Sequence, residues 1–213
     1  MRLGIFGGSF DPIHYGHLIL AEQCREQAEL DRVLFVPANQ SPLKSRSPVV
    51  SDKHRLEMLS LAVAGHSGFE ISTIELDRGG KSFTIDTLQE LKTQHADAQL
   101  FLLMGEDSLQ SFDQWKEPAG ICEMATPLVC RRPSTDSEIE RDGKQELDLT
   151  KLAEFVSDSA LEQIKQLAIQ SRLIEISSTD VRTRIGSSKS VRYLLPRAVE
   201  KYLQTQKLYQ QET

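Results

Sequence analysis

The 213-residue chain has few cysteines and none in a pattern that indicates a metal or redox site. Cys24, Cys122 and Cys130 form neither a C-x-x-C pair nor a Cys/His spacing typical of zinc binding. An odd number of scattered cysteines is expected to stay reduced. Cys24 and Cys130 lie in a predicted helix and a predicted strand, so both are expected to be small core hydrophobes.

The chain also lacks a long hydrophobic run and an excess of basic residues. No apolar segment before Asp11 has the length of a signal-peptide core, and no later stretch approaches membrane-spanning length. A cytoplasmic location is therefore expected. The formal net charge of −6 argues against broad nucleic-acid binding, which needs a basic surface. A small anionic substrate is still allowed, because a few basic groups and helix N-termini can hold phosphate.

What the chain does contain is a regular alternation of strand-like and helix-like segments. Apolar runs typical of strands lie at 3–6, 32–36, 69–73, 100–104, 128–130 and 173–176. Helical periodicity begins near residues 16, 52 and 84, while residues 77–82 are expected to form a glycine-containing loop. The alternation predicts an α/β fold, a Rossmann-like doubly wound parallel sheet with a small C-terminal helical portion.

An acidic segment interrupts this alternation. Residues 134–158 contain eight acidic and three basic residues, so most of the net negative charge lies there. We expect a solvated segment that leads into a helix through Leu161, Ile164 and Leu167. The whole chain, 1–213, is then one domain with a variable acidic insertion at about 134–170.

The residues most suggestive of chemistry follow the first strand. Gly7 and Gly8 do not fit the G-x-G-x-x-G pattern, so ordinary dinucleotide binding is disfavoured. His14 and His17 are three positions apart and can share a face of the next helix at its positive end, where a transferring phosphoryl group can bind. Gly16 is expected to leave room for that phosphate. The alternative is that one histidine caps the helix and the other packs in the core, which is less favoured for a pair at this strand end.

A second cluster lies near the end of the chain. Ser177, Ser178 and Thr179 open a short helix, and one or two hydroxyls suffice to cap it. Three in a row leave hydroxyls and backbone N–H groups to face an anion. Arg182 lies one turn further on and can bind phosphate oxygens through two N–H groups. Together with the histidines, this cluster can supply the opposite wall of a triphosphate site.

Residues 8–17 and 177–182 resemble the two motifs of the nucleotidyltransferase superfamily. The likeness covers most of the chain and is greatest to the bacterial nicotinate-nucleotide adenylyltransferases. The residues that point to this subfamily are segments 82–88 and 105–108, together with Trp115. Further likeness lies at 37–44, at 130–133 and from 195 to 209.

The resemblance implies transfer of AMP from ATP to nicotinate mononucleotide, which gives deamido-NAD and pyrophosphate in NAD biosynthesis. The implied catalytic residues are His14, His17 and Arg182. ATP binding is implied for Gly8, Ser9, Phe10, Gly105, Asp107, Ser178 and Thr179. Acceptor binding is implied for Asn39, Lys44, Thr84 and Trp115.

Mg²⁺ is expected to arrive with ATP and not in a dedicated protein site. ATP and nicotinate mononucleotide are the expected partners, without nucleic acid or membrane; a homo-oligomer is allowed, since the sequence does not determine the oligomeric state.

Several alternatives stay open at this point. Trp115 is also explained by core packing, and Lys44 by a solvated loop. The chain departs from the family pattern at Leu43, where a histidine is usual, and at Lys207, where a glycine is usual. The rival functions are another small-molecule nucleotidyltransferase, acting on phosphopantetheine or transferring CMP, and a nucleotide sensor without turnover. The segment around Thr84 disfavours the first, and two histidines with an arginine disfavour the second.

Overall fold

The computed structural model describes residues 1–42, 47–131, 147–171 and 174–210. Six strands of the described chain form one sheet: β1 (Arg2–Gly8), β2 (Arg32–Pro37), β3 (Phe69–Ile71), β4 (Gln99–Gly105), β5 (Ala125–Arg131) and β6 (Ile169–Gln170). Their order is β3-β2-β1-β4-β5-β6, and every neighbouring pair is parallel. The predicted Rossmann-like α/β fold is confirmed.

Helices cover both faces of the sheet. Their bounds are α1 (Tyr15–Gln27), α2 (Asp52–Val63), α3 (Ile74–Arg78), α4 (Thr84–Gln94), α5 (Glu106–Gln110), α6 (Pro118–Met124), α7 (Thr150–Ala153), α8 (Asp158–Gln166), α9 (Ser178–Gly186) and α10 (Arg197–Thr205), with a 3-10 turn at Phe112–Gln114. Within the described ranges, none of these helices is long and apolar enough to cross a membrane.

The continuous apolar strands are explained by two cores, one on each face. In β4, Phe101 and Leu103 join the core beneath α1, α2, α9 and α10, whereas Leu102 and Met104 join the core beneath α3 to α8. Because successive strand residues point to opposite faces, a strand buried on both sides must be apolar at nearly every position. Cys24 belongs to the first core, as expected for a small hydrophobe.

A crevice begins where the strand order reverses. β1 pairs with β2 as far as Gly8 and Pro37, but its pairing with β4 ends at Ile5 and Leu102. The carboxyl ends of β1 and β4 therefore diverge. In open α/β sheets this is the place where ligands bind.

Two sequence expectations are wrong. The predicted strand at 173–176 is not formed by its described residues, 174–176, which instead lead into α9. The last strand is β6, since Cys130 and Arg131 at the end of β5 pair with Ile169 and Gln170. The predicted loop at 77–82 begins two residues late, at Gly79, because α3 extends to Arg78.

The end of the acidic segment is packed and not solvated. Leu147, Leu149 and Leu152 are buried in the second core, and Ile164 of α8 joins them. Residues 132–146 lie outside the described residues. That a variable insertion occupies about 134–170 of a single domain stays a prediction.

Candidate active site

Two histidines stand at the start of α1, beside the crevice. His14 is the N-cap residue and is buried, with 5% of its surface exposed. Its backbone N–H donates to Nδ1 of His17 over 3.3 Å, and the two rings stack with centroids 3.7 Å apart. Because Nδ1 of His17 accepts this bond, the neutral His17 ring carries its proton on Nε2.

Burial determines the charge of His14. Removal from water lowers the pKa of His14 to about 4, so its ring is neutral at pH 7. Its Nδ1 atom is buried and has no hydrogen-bond partner in the part of the chain that the structure describes. At neutral pH, His14 therefore offers a ring dipole but no positive charge.

Gly16 lies beside the ring of His14; that it also leaves room for a phosphate stays a prediction. A Cβ at this position would lie 3.0 Å from Cε1 and Nδ1 of His14 and 3.4 Å from the carbonyl oxygen of Ile176. The distances to the His14 ring are shorter than ordinary van der Waals contacts, and the distance to Ile176 is an ordinary contact. The absent side chain makes room for the histidine ring and for the segment that leads into α9.

The turn between β1 and α1 is built around a buried aromatic ring. Phe10 is 1% exposed, lies edge-on to Phe6 and His17, and has a left-handed φ of 45°. A Cβ on Gly8 would lie 2.9 Å from the Phe10 ring, whereas one on Gly7 would meet nothing within 4 Å. Any contact between Phe10 and a nucleotide must therefore come from its backbone. The same turn contains Ser9, whose carbonyl oxygen accepts a hydrogen bond from the buried side chain of Arg55.

The three hydroxyls at the start of α9 have separate tasks. The Ser177 hydroxyl caps the helix by accepting from the backbone N–H of Asp180 over 3.1 Å. The Ser178 hydroxyl donates to the carbonyl oxygen of Pro12 over 2.9 Å, across 166 sequence positions. The Thr179 hydroxyl accepts a hydrogen bond from the guanidinium of Arg182. Fewer hydroxyls are available to an anion than predicted, and the first backbone N–H groups of α9 remain for it.

Arg182 joins the same two segments. Its Nη1 donates to the carbonyl oxygen of Asp11 over 2.6 Å, and its Nη2 donates to Oγ1 of Thr179 over 3.1 Å. The start of α9 and the histidine turn therefore meet. The positive potential here comes from the guanidinium and from the N-termini of α1 and α9.

Gly105 and Asp107 lie on the other side of the crevice. Gly105 ends β4 and is the N-cap residue of α5, and a Cβ added there would meet no atom within 4 Å. Asp107 is exposed in the first turn of α5. Since β1 and β4 are parallel neighbours, both residues lie at the same sheet edge as the histidines.

The implied acceptor residues come from three elements. Asn39 follows β2, and its backbone N–H donates to Oγ of Ser82 over 2.9 Å. Thr84 is the first residue of α4, whose N-cap residue makes no side-chain capping bond. Trp115 follows the 3-10 turn, is half-buried, and packs 5.4 Å from the ring centre of Phe112. Lys44 lies outside the described residues.

A lysine connects two of these elements. Lys116, next to Trp115, lies over the Phe83 ring at 5.0 Å and forms an ion pair of 2.8 Å with Asp86. The tryptophan segment is thereby attached to the first turn of α4, where Thr84 lies. The indole Nε1 of Trp115 is buried with no hydrogen-bond partner among the residues described.

Sequence reasoning missed two buried charged residues that support the histidine turn. Arg55 of α2 is fully buried and donates from Nη1 to the carbonyl oxygen of Ser9 over 2.8 Å. Asp11, 4% exposed, accepts from the Tyr209 hydroxyl over 2.6 Å. A signal existed for Arg55, which lies four positions before Leu59 on the buried face of α2. The predicted inner-face residue Leu56 is only half-buried.

In the described ranges, no group of three or more His, Cys, Asp or Glu side chains is arranged to hold a metal ion. The histidine turn and the start of α9 offer donors of hydrogen bonds to the crevice: imidazole, guanidinium, hydroxyl and helix N–H groups. Such a set binds phosphate oxygens.

The comparisons with known proteins agree with this geometry. The cytidylyltransferase-like family matches residues 5–184, which include both motifs. A protein of Geobacter sp. (strain M21) named "probable nicotinate-nucleotide adenylyltransferase" is 42% identical over 98% of this chain and 98% of its own. One of the same name from Thermomicrobium roseum is 41% identical over 98% of this chain and 91% of its own.

Solved structures share the fold. The nicotinic acid mononucleotide adenylyltransferase of Plasmodium falciparum complexed with NaAD has a TM-score of 0.68 at 17% identity, over 98% of this chain and 97% of that one. Its complex with APC has a TM-score of 0.69 at 16% identity, over 98% and 96%. From the family match and the two full-length relatives, the chain belongs to the cytidylyltransferase-like family and, within it, to the nicotinate-nucleotide adenylyltransferases.

Proposed function

We propose that the chain transfers AMP from ATP to nicotinate mononucleotide, giving deamido-NAD and pyrophosphate in NAD biosynthesis. One observation carries this proposal: the hydrogen bonds from Ser178 to Pro12 and from Arg182 to Asp11 join the histidine turn to the start of α9. Two groups of phosphate-binding donors, far apart in sequence, thereby face one crevice. The names of the full-length relatives supply the same reaction independently.

The triphosphate is held from two sides in this proposal. Ser178, Thr179 and Arg182 bind its oxygens through the helix N–H groups and the guanidinium. His17 donates from Nε2 to the α-phosphate as negative charge develops, while neutral His14 supports the ring of His17 by stacking. Removal of one such preorganised donor typically lowers kcat about 10²–10³-fold.

The chemical step is a single displacement. A phosphate oxygen of nicotinate mononucleotide attacks the α-phosphorus in line, and the bond from that phosphorus to the bridging oxygen breaks as pyrophosphate leaves. An ionised phosphate is already a nucleophile, so the site needs no general base. The protein contributes positioning and electrostatic stabilisation.

Gly8, Ser9 and Phe10 contribute backbone contacts to ATP in this scheme, and Gly105 with Asp107 lies beside the adenosine. The open position at Gly105 allows a ligand to approach the backbone closely. Mg²⁺ enters as the MgATP complex and is part of the substrate.

The acceptor binds on the side of Asn39, Lys44, Thr84 and Trp115. The indole stacks on the pyridine ring, and the uncapped first turn of α4 donates N–H groups to the nicotinate carboxylate. This assignment favours the acid over the amide. The cytoplasmic location stays a prediction.

The proposal is tested by measuring pyrophosphate release from MgATP with a panel of acceptors: nicotinate mononucleotide, nicotinamide mononucleotide, phosphopantetheine and no acceptor. We expect the highest rate with nicotinate mononucleotide and a slower rate with its amide. ATP binding without pyrophosphate release in any mixture would identify a sensor. Turnover with phosphopantetheine alone would assign the rival acceptor.

A further inference from the structure

The carboxylate of Asp11 is the meeting point of three segments. Its Oδ1 accepts the Tyr209 hydroxyl over 2.6 Å, and its Oδ2 accepts the backbone N–H of Val49 over 2.7 Å. The carbonyl oxygen of the same residue accepts from Arg182 over 2.6 Å. A buried aspartate at the histidine turn thus connects the C-terminal segment, the loop before α2, and α9.

These hydrogen bonds determine how close the Asp11 carboxylate lies to the guanidinium of Arg182. The shortest distance between the Arg182 guanidinium and the Asp11 carboxylate is 3.9 Å, from Nη1 to Oδ2. An arginine and a carboxylate that are free to move usually form a bidentate pair with bonds of about 2.7–2.9 Å. Here each carboxylate oxygen already accepts another donor, and the guanidinium is turned to the backbone carbonyl.

Local backbone strain accompanies the placement of Tyr209. After α10, Lys207 and Tyr209 both have left-handed φ angles, 52° and 60°, and the segment folds back so that Tyr209 packs on the first core. Burial raises the pKa of Tyr209, so its hydroxyl keeps its proton and acts as a donor to the carboxylate.

We propose that Tyr209 is a positioning residue for the triphosphate site: its hydroxyl holds the Asp11 carboxylate away from Arg182, which leaves the guanidinium available to phosphate oxygens. Without the hydroxyl, Oδ1 of Asp11 loses its partner and turns to the guanidinium. The ion pair that forms competes with ATP for Arg182. The inference rests on the proposed function, in which Arg182 binds the triphosphate.

Tyr209→Phe tests the inference, and Tyr202→Phe is its matched control. Tyr202 lies in α10, and its hydroxyl is 2.8 Å from Nδ1 of His54. Each variant removes one tyrosine hydroxyl bond from the C-terminal region. We expect Tyr209→Phe to weaken MgATP binding about tenfold, the effect of one charge-assisted hydrogen bond, and to leave the KM for nicotinate mononucleotide unchanged. Tyr202→Phe should change MgATP binding less than about twofold.

Calorimetric binding of MgATP is measured alongside turnover and thermal melting. A wild type that binds MgATP but makes no dinucleotide contradicts the proposed function, while the contrast between the two variants still tests the role of Tyr209. Equal MgATP affinities of the two tyrosine variants would overturn the inference. So would a Tyr209→Phe variant whose loss of affinity is accompanied by an equal rise in the acceptor KM, because a general loss of structure affects both substrates.

Asp11→Asn supplies the second test, because an amide has no charge with which to capture Arg182. In this background, adding Tyr209→Phe should change MgATP affinity less than about twofold, since the two substitutions then act on the same contact. An unchanged, roughly tenfold effect in the Asp11→Asn background would show that the hydroxyl acts by another route, and would overturn the inference even if the single variants behave as expected.

Discussion

The donor side proposed for the site, formed by the histidine turn and the start of α9, includes two buried polar residues, whereas the described residues proposed for the acceptor side are only partly buried. Asp11 and His14 on the donor side are 4% and 5% exposed. Asn39, Thr84 and Trp115 on the acceptor side are all half-buried. His17 and Arg182, the donors of the donor side, are half-buried like the acceptor residues, but they lie directly against this buried pair.

The two sides of the site have different chemical tasks in the proposed reaction, and this difference in burial agrees with them. Charge develops at the transferring phosphorus, and donors aimed at developing charge work best when they need no rearrangement. The acceptor must only be bound and aligned, which partly exposed aromatic and helix N-terminal groups can do. In a fold built in this way, the residues that bind the acceptor can change, and with them the acceptor specificity, while the donor side stays the same.

Among the substitutions considered, His17→Ala on the donor side should have the largest effect on the rate of the reaction. We expect kcat to fall about 10²–10³-fold, because a preorganised donor to the α-phosphate is lost, with MgATP affinity changed less than about threefold. Steady-state kinetics and MgATP calorimetry measure the two effects. Weakened MgATP binding with kcat intact would reduce His17 to a ground-state contact.

Because His14 is buried in its neutral form, the stability of the fold should decrease in acid. The pKa of His14 is about 4 in the fold against 6.5 when exposed, so the unfolded chain takes up the proton first as the pH falls. The free energy of unfolding should therefore decrease between pH 6.5 and 4, by up to about 1.4 kcal/mol per pH unit and about 2–3 kcal/mol in total. Below pH 4 both states are protonated and this contribution is constant.

Urea unfolding of the wild type and of His14→Gln at about pH 7.5, 6, 5 and 4 measures this contribution. The variant is expected to be less stable at neutral pH but to lose less stability on acidification. Parallel pH profiles for the two proteins would mean that the His14 ring is accessible to water.

Trp115→Ala should act on the acceptor side alone. Loss of a stacking partner is worth about 1–1.5 kcal/mol, so the KM for nicotinate mononucleotide should rise about tenfold while MgATP affinity is unchanged. Trp115→Phe keeps an aromatic face and should recover most of the affinity. A lower melting temperature with an unchanged KM would mean that Trp115 only packs in the core.

The smallest effect is expected from Lys207→Gly, outside both motifs. Lys207 has a left-handed backbone and directly follows the C-cap residue of α10: its N–H donates to the carbonyl of Gln204, and the N–H of Leu208 donates to that of Leu203. A left-handed backbone favours glycine at this position, so we expect a gain of about 0.5–1 kcal/mol in the free energy of unfolding, or about 1–4 °C in Tm. Gln204→Gly, inside the same helix, should instead cost about 1 kcal/mol. A loss of stability in Lys207→Gly would contradict this explanation of why the family has glycine here.

The parallel sheet and the two motifs could be predicted from sequence because their signals are local. Apolar runs of strand length alternate with helical periodicity, and His14 and His17 lie within one helical turn of each other. The strand near 173–176 was misplaced because pairing decides it: Cys130 and Arg131 offer a partner at that edge, and Ile169 and Gln170 take it.

The contact of Asp11 with Tyr209, which supports the donor side, could not be predicted for the same reason. Asp11 and Tyr209 are 198 positions apart, and no local pattern indicates that a C-terminal tyrosine reaches the first turn. The contact between Gly16 and the His14 ring is likewise decided by how the turn folds and not by a local sequence pattern. Contacts between distant segments turn a recognisable motif into a site with fixed geometry.

In the proposed reaction, AMP passes directly from ATP to a second bound substrate on a preorganised donor side. The most direct test is the configuration at phosphorus after turnover of nicotinate mononucleotide with an ATP analogue made chiral at the α-phosphate by sulfur. A single in-line displacement predicts a dinucleotide with inverted configuration. Retained configuration, which requires two displacements through an adenylylated enzyme, or the absence of any dinucleotide, would contradict it.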